Sequence, residues 1–175
     1  MSTKTNQNLD FEIIIDKYRN SLYKVAATFE SDPDLLQDLH QEILFAIWKS
    51  LPGFKNKSSV HTFIYRIAYN QALIHVAKAN KVNKHHKSND ELDLIPNNTV
   101  SQPDQYASSQ QDSQKLISLI RQLPVMKRQL ITLSLEGFSY KEIAEITGLN
   151  SNNVAVQLNR SKNQLKKIIE KEYAK

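Results

Sequence analysis
Apolar residues recur three and four apart along most of the chain and nowhere alternate with polar ones at a period of two, which points to helices and to no strand. A first helix is expected from Leu9 to Phe29, with Phe11, Ile14, Ile15, Tyr18, Leu22, Val25, Ala26 and Phe29 on one side. A second should open after Asp32, with Pro33 suited to the first turn. It presents Leu35, Leu36, Leu39, Ile43 and Ile47 until Leu51-Pro52-Gly53 stops it. A third, over about Ser59 to Lys81, uses Val60, Phe63, Ile64, Ile67, Ala68, Leu73 and Ile74. These three make one compact module, residues 1–81.

From Val82 to Asp112 the composition turns to Asn, Ser, Gln, Asp and Pro, which cannot bury enough apolar surface to offset the entropy of ordering. Residues 82–112 therefore read as a flexible polar linker. Helical spacing resumes at Gln114 with Leu116, Ile117, Leu119, Ile120 and Leu123, and Pro124 opens a helix carrying Leu130, Ile131 and Leu133. The expected fold is all-α: two small helical domains, 1–81 and 113–175, on that linker.

Phe138 to Lys167 reads as a helix-turn-helix. Ser139-Tyr140-Lys141-Glu142 has the spacing of a capping box, opening a short helix with Ile143, Ala144 and Ile146. Ala144 is small where a second helix must pass close, Gly148 suits a turn needing positive φ, and Leu149 plugs the corner. Asn150 or Ser151 would cap the second helix, with Val154, Leu158 and Leu165 inward. Its outward residues would be Ser151, Asn152, Asn153, Ala155, Gln157, Asn159, Arg160 and Lys162. Asn, Gln and Arg can hydrogen-bond to base edges, and lysines can reach phosphates. An ordinary helical hairpin is the alternative.

Charge adds a second layer. The net charge is +5, but residues 51–87 hold seven basic side chains and no acidic one, residues 88–114 five acidic and no Lys or Arg, and residues 115–175 eleven basic against five acidic. Two basic surfaces around an acidic connector fit a long polyanion, which rewards cations through counterion release. Residues 31–50 carry Asp32, Asp34, Asp38 and Glu42 against Lys49 alone. Asp38, Gln41 and Glu42 would cluster opposite the apolar stripe, and such a patch repels DNA, so it should face something else or simply solvent. Beyond it Phe54, Phe63, Tyr65 and Tyr69 interleave with Lys55, Lys57, His61, Arg66 and Lys78. Single-stranded nucleic acid needs such rings for stacking and such cations for its backbone, although at helical spacing Phe63 also fits the core.

The 175 residues include no Cys, which removes disulfides, thiolate metal sites and cysteine nucleophiles, and only three Gly, with no phosphate-cradling loop motif. No metal or cofactor site is expected. The five His residues form no HExxH, and nothing favours an enzyme. Met1 to Asp10 is polar, and no run approaches the ~18 apolar residues of a membrane span, so a cytoplasmic protein without membrane insertion is expected.

Taken in order, these segments resemble the extracytoplasmic-function (ECF) group of bacterial RNA polymerase sigma factors, within the sigma-70 family. Asp38-Leu39-His40-Gln41-Glu42-Ile43 through Leu51 is similar to region 2.2 of that family, and Thr62 to Asn70 to region 2.3. Leu123-Pro124, Glu136 to Ala144 and Val154 to Lys162 are similar to region 4. The resemblance implies that Asp38, Gln41 and Glu42 dock on core RNA polymerase. It also implies that Phe54, Lys55, Lys57, His61, Phe63, Tyr65, Arg66, Tyr69 and Asn70 serve the melted minus-10 strand, and that the helix-turn-helix reads the minus-35 element. It further implies promoter DNA and an anti-sigma factor as partners, with no catalytic residue. Ile74, Ala77, Ala155 and Gln157 stand where the family often carries charged residues, which implies weaker phosphate anchoring or a divergent minus-35 sequence. The competing reading is a free-standing helix-turn-helix regulator that binds duplex DNA without polymerase.

Overall fold
A computed structural model describes residues 11–86 and 108–174, with side chains described for 11–81 and 111–174. Among the described residues there are seven α-helices, one short 3-10 turn and no strand. The N-terminal module holds α1 (Phe11–Phe29), α2 (Pro33–Ser50), the 3-10 turn Leu51–Gly53 and α3 (Val60–His86); the C-terminal module holds α4 (Ser108–Ile120), α5 (Val125–Leu135), α6 (Tyr140–Thr147) and α7 (Ser151–Tyr173).

Local chemistry sets the starts of these helices. Asp32 caps α2, its carboxylate accepting from Asp34 N at 3.0 Å and Leu35 N at 3.1 Å, and Pro33 occupies the first turn, where a missing N–H costs nothing. Glu30 accepts from Ser31 N and Asp32 N at 2.7 and 2.9 Å and so orders the α1–α2 corner. Ser59 takes the same part for α3, its hydroxyl accepting from Thr62 N at 3.0 Å.

The expected linker is shortened from both ends. α3 continues to His86 and α4 already begins at Ser108. The extra turns add a backbone hydrogen bond per residue without an apolar face, so hydrophobic periodicity cannot reveal them. Residues 87–107, like the Leu9 and Asp10 start of the first helix, lie outside the described residues.

Leu22, Leu39, Ile43, Ile47 and Ile64 fill the N-terminal core, and Leu123, Leu130, Leu133, Ile143, Val154 and Leu158 the C-terminal one. Two residues assigned to apolar stripes face solvent instead: Leu35 on α2, 48% exposed, and Ile74 on α3. Conversely Tyr65 and Tyr69, which read as possible stacking platforms, are wholly buried. The two modules pack on each other, with α3 against α6 and the end of α1 against α4 and α5.

Candidate nucleic-acid interface and docking face
α2 buries Leu36, Leu39, Ile43 and Ile47 against α1 and α3. The 3.6-residue repeat then forces Leu35, Asp38, Gln41, Glu42, Phe45, Trp48 and Lys49 onto the opposite face, and all seven are exposed. The acidic and amide side chains expected to cluster do so. The structure adds two aromatics that sequence reasoning missed: Phe45 and Trp48 are 61% and 55% exposed, their ring centroids 5.7 Å apart. Their positions seven and ten residues after Asp38 were the available signal.

The second site lies where the 3-10 turn meets α3. Phe54, Lys55, Lys57, Ser58, Phe63 and Arg66 surround a pocket of about 160 Å³ beside Gly53. Asn56 takes φ of 54°, a left-handed conformation that Asn tolerates better than most side chains, and this bend lets Lys55 and Lys57 flank one opening. Phe54 and Phe63 meet at 4.8 Å, and the Arg66 guanidinium stands 6.0 Å from the Phe63 ring. Half-buried rings with cations at the rim can take a stacked base and its phosphates. Asn70, one turn on from Arg66, is also exposed.

His61, Tyr65 and Tyr69 do not join this pocket. They lie on the side of α3 that the C-terminal module covers. Tyr65 donates to Glu136 at 2.7 Å, and Tyr69 hydrogen-bonds Thr132. Burial, and for Tyr65 the Glu136 carboxylate, push both phenols above their ordinary pKa of 10. His61 stacks on Phe138 at 4.2 Å and on Tyr18 at 5.3 Å. Desolvation holds its pKa below the ordinary 6.5, against the opposing pull of Glu136 and Glu142.

The helix-turn-helix forms as the sequence implies. Ser139 N donates to Glu142 at 2.9 Å while the Ser139 hydroxyl accepts from Glu142 N at 3.3 Å, closing the capping box. These hydrogen bonds draw the Glu142 carboxyl below its ordinary 4.5. Gly148 ends α6 at φ 76°, and Asn150, of the two candidate caps, starts α7, accepting from Asn153 N at 2.8 Å. Val154, Leu158, Ser161 and Leu165 anchor α7 inward, which exposes Ser151, Asn152, Asn153, Asn159, Arg160 and Lys162. Ala155 and Gln157 are only half exposed. Val156, absent from the expected outward set, is 49% exposed and shares a face with Asn152 and Asn159. A valine there can contact the methyl group of thymine.

Among the described residues no His, Asp and Glu side chains converge to hold a metal ion, and no helix is long and apolar enough to cross a membrane.

Comparison with known proteins bears on both modules. Residues 14–82 match the family described as Sigma-70 region 2, and residues 113–165 the one described as Sigma-70, region 4. The chain is 24% identical to the RNA polymerase sigma-H factor of Pseudomonas aeruginosa over 91% of its own length and 86% of the relative's. It is 29% identical to the RNA polymerase sigma factor YlaC of Bacillus subtilis, over 85% and 83%. A co-crystal structure of the sigma factor RpoE with the anti-sigma factor NepR from Bartonella quintana superposes with a TM-score of 0.73, at 22% identity, across 92% of this chain and 97% of that one. That last likeness is one of fold.

Proposed function
The chain belongs to the sigma-70 family and is an RNA polymerase sigma factor of the ECF type, and from that premise we propose how its surfaces divide the work. The α2 face docks on core RNA polymerase, with Asp38, Gln41 and Glu42 making charged and polar contacts around an aromatic centre of Phe45 and Trp48. The pocket of Phe54, Lys55, Lys57, Phe63 and Arg66, extended by Asn70, takes the melted minus-10 strand. α7 lies in the major groove of the minus-35 element, with Asn152, Asn153, Val156 and Asn159 toward base edges and Ser151, Arg160 and Lys162 toward phosphates. The module that ends with α3 thus serves as the polymerase and minus-10 module, and the module that opens with α4 as the minus-35 module. The factor performs no catalysis itself, works in the cytoplasm with the polymerase, and is restrained by an anti-sigma factor.

One observation carries this division: the acidic face of α2 and the cationic pocket are separate surfaces of one module. Acidic side chains repel a phosphate backbone, so the two faces need different partners. Size-exclusion with bacterial core RNA polymerase tests it. The wild type should co-elute, and an Asp38→Ala, Gln41→Ala, Glu42→Ala variant should not. A variant that still co-elutes would show that docking uses another surface.

A further inference from the structure
From Ser151 to Asn159, α7 carries no charged side chain, and its first cations are Arg160 and Lys162. Burial of Val154, Leu158, Ser161 and Leu165 fixes which face looks outward. Along that face Asn152, Val156, Asn159 and Asn163 recur at steps of four, three and four residues, and all are exposed. Asn153 and Arg160 flank them on the next ridge.

Hydrogen bonds within the helix sort these side chains. Asn150 spends its carboxamide oxygen on the cap, accepting from Asn153 N at 2.8 Å. Asn163 donates to Asn159 Oδ1 at 3.4 Å, which holds those two amides along the helix axis. The amides of Asn152 and Asn153 have no hydrogen-bond partner among the described residues. Val156, 49% exposed, is β-branched and keeps essentially one rotamer in a helix, so its methyl groups are presented in a fixed direction.

Each base shows a different edge in the major groove. Guanine offers two acceptors, O6 and N7, which suit the paired donors of Arg or the ammonium of Lys. Adenine offers the N6 donor and the N7 acceptor, and one carboxamide matches both. Thymine offers a methyl group that an apolar side chain can cover. The N-terminal residues of a recognition helix are the ones that meet base edges, and Arg160 lies about 12 Å further along from Asn152 at ~1.5 Å per residue. Within reach of the bases α7 therefore brings carboxamides and a valine, with no guanidinium or ammonium. Against guanine, an Asn carbonyl would oppose O6 and leave two acceptors unpaired.

We infer that the minus-35 element of this factor consists of A·T pairs at the positions α7 reads, with Asn152 and Asn153 on adenine, Val156 on a thymine methyl, and no guanine contact. The inference rests on α7 lying in the major groove of that element.

Holoenzyme reconstituted from this chain and bacterial core polymerase can select duplexes carrying about ten randomised base pairs, one helical turn, upstream of a mismatched bubble that needs no melting. The recovered positions should be A·T pairs, with a thymine facing Val156. Replacing that thymidine by deoxyuridine removes only the methyl group and should weaken binding about fourfold, the worth of one buried methyl. Val156→Ala, at an exposed helical position where alanine is well tolerated, should bind both duplexes equally. Asn152→Ala with Asn153→Ala should cut the preference for A·T over G·C about tenfold.

A required G·C pair under α7, or uracil discrimination that survives Val156→Ala, overturns the inference. Hydroxyl-radical footprinting of the same complexes tells this apart from a misplaced α7. Protection upstream of the bubble without A·T preference refutes the base reading alone. No protection there shows that α7 does not lie in the groove, and both readings fall.

Discussion
Trp48→Ala should weaken binding to core polymerase about thirtyfold while leaving the fold intact. The indole is 55% exposed and lies along Phe45 on the outer face of α2. A tryptophan presents up to ~250 Å², so roughly 140 Å² is open to a partner, worth about 3.5 kcal/mol if fully covered at ~25 cal/mol per Å². Ordering the ring and leaving part of its edge wet costs about 1–1.5 kcal/mol, which leaves about 2 kcal/mol. At 1.4 kcal/mol per tenfold that is about thirtyfold in Kd. Fluorescence anisotropy of labelled protein titrated with core polymerase reads this directly. Thermal unfolding should shift by no more than ~0.5 kcal/mol, as expected of an exposed position. Ile43→Ala, on the buried side of the same helix, should do the reverse and cost about 2–5 kcal/mol of stability. Affinity within about twofold of wild type, or a matching loss of stability, would refute the assignment of this face.

Further outcomes follow from the other surfaces. Ser139→Ala should cost the helix-turn-helix about 1 kcal/mol by chemical denaturation. Because the Glu142 carboxyl is held below 4.5, the capping box stabilises above that pH and is lost as pH falls through the lowered value, so Glu142→Gln should flatten the acid limb of the stability profile. His61 is likewise held below 6.5, between Tyr18 and Lys17 of α1, Tyr65 of α3, and Phe138, Glu136 and Glu142 of the C-terminal module. Its neutral ring supports the closed contact above pH 6.5 and loses that support as pH falls through the lowered value. His61→Phe should therefore keep the modules together at pH values where the wild type loosens, read by the distance between spin labels placed at Asp16→Cys on α1 and Glu145→Cys on α6, both exposed in a chain without cysteine. Arg160→Ala should lower the salt slope of promoter binding by about 0.9, the mark of one lost phosphate contact, with little change in sequence preference. Arg66→Ala should preserve co-elution with polymerase and reduce promoter opening, measured by permanganate reactivity of unpaired thymines.

Much of this was legible in the chain. The capping box, Gly148 at the turn and the inward Val154, Leu158 and Leu165 are short-range features, and neighbours three or four residues apart decide them wherever the module sits. The acidic side of the outer face of α2 was equally accessible, because burying Leu36, Leu39, Ile43 and Ile47 compels Asp38, Gln41 and Glu42 to point away, and the same repeat carried the signal for Phe45 and Trp48 that went unread. Leu35 and Ile74 were misjudged by a fraction of a turn, since an apolar side chain at the edge of a stripe fits either side and only the neighbouring helix decides. The polar extensions of α3 and α4 were missed for want of any apolar face to betray them.

The tyrosines of α3 mark the limit of such reading. A phenol beside cations is equally suited to stacking on a base and to hydrogen-bonding inside a protein, and its own helix does not distinguish the two. Tyr65 and Tyr69 are buried because Glu136 and Thr132, more than sixty positions away, arrive opposite them. Local periodicity therefore settled which helices form and which of their faces are apolar. The pairing of the modules, the hydrogen bonds that Arg121 and Arg128 donate to Ala27 O and Thr28 O at the end of α1, and the covering of His61 by Phe138 belong to the tertiary structure alone, because they depend on residues that meet only after the chain has folded.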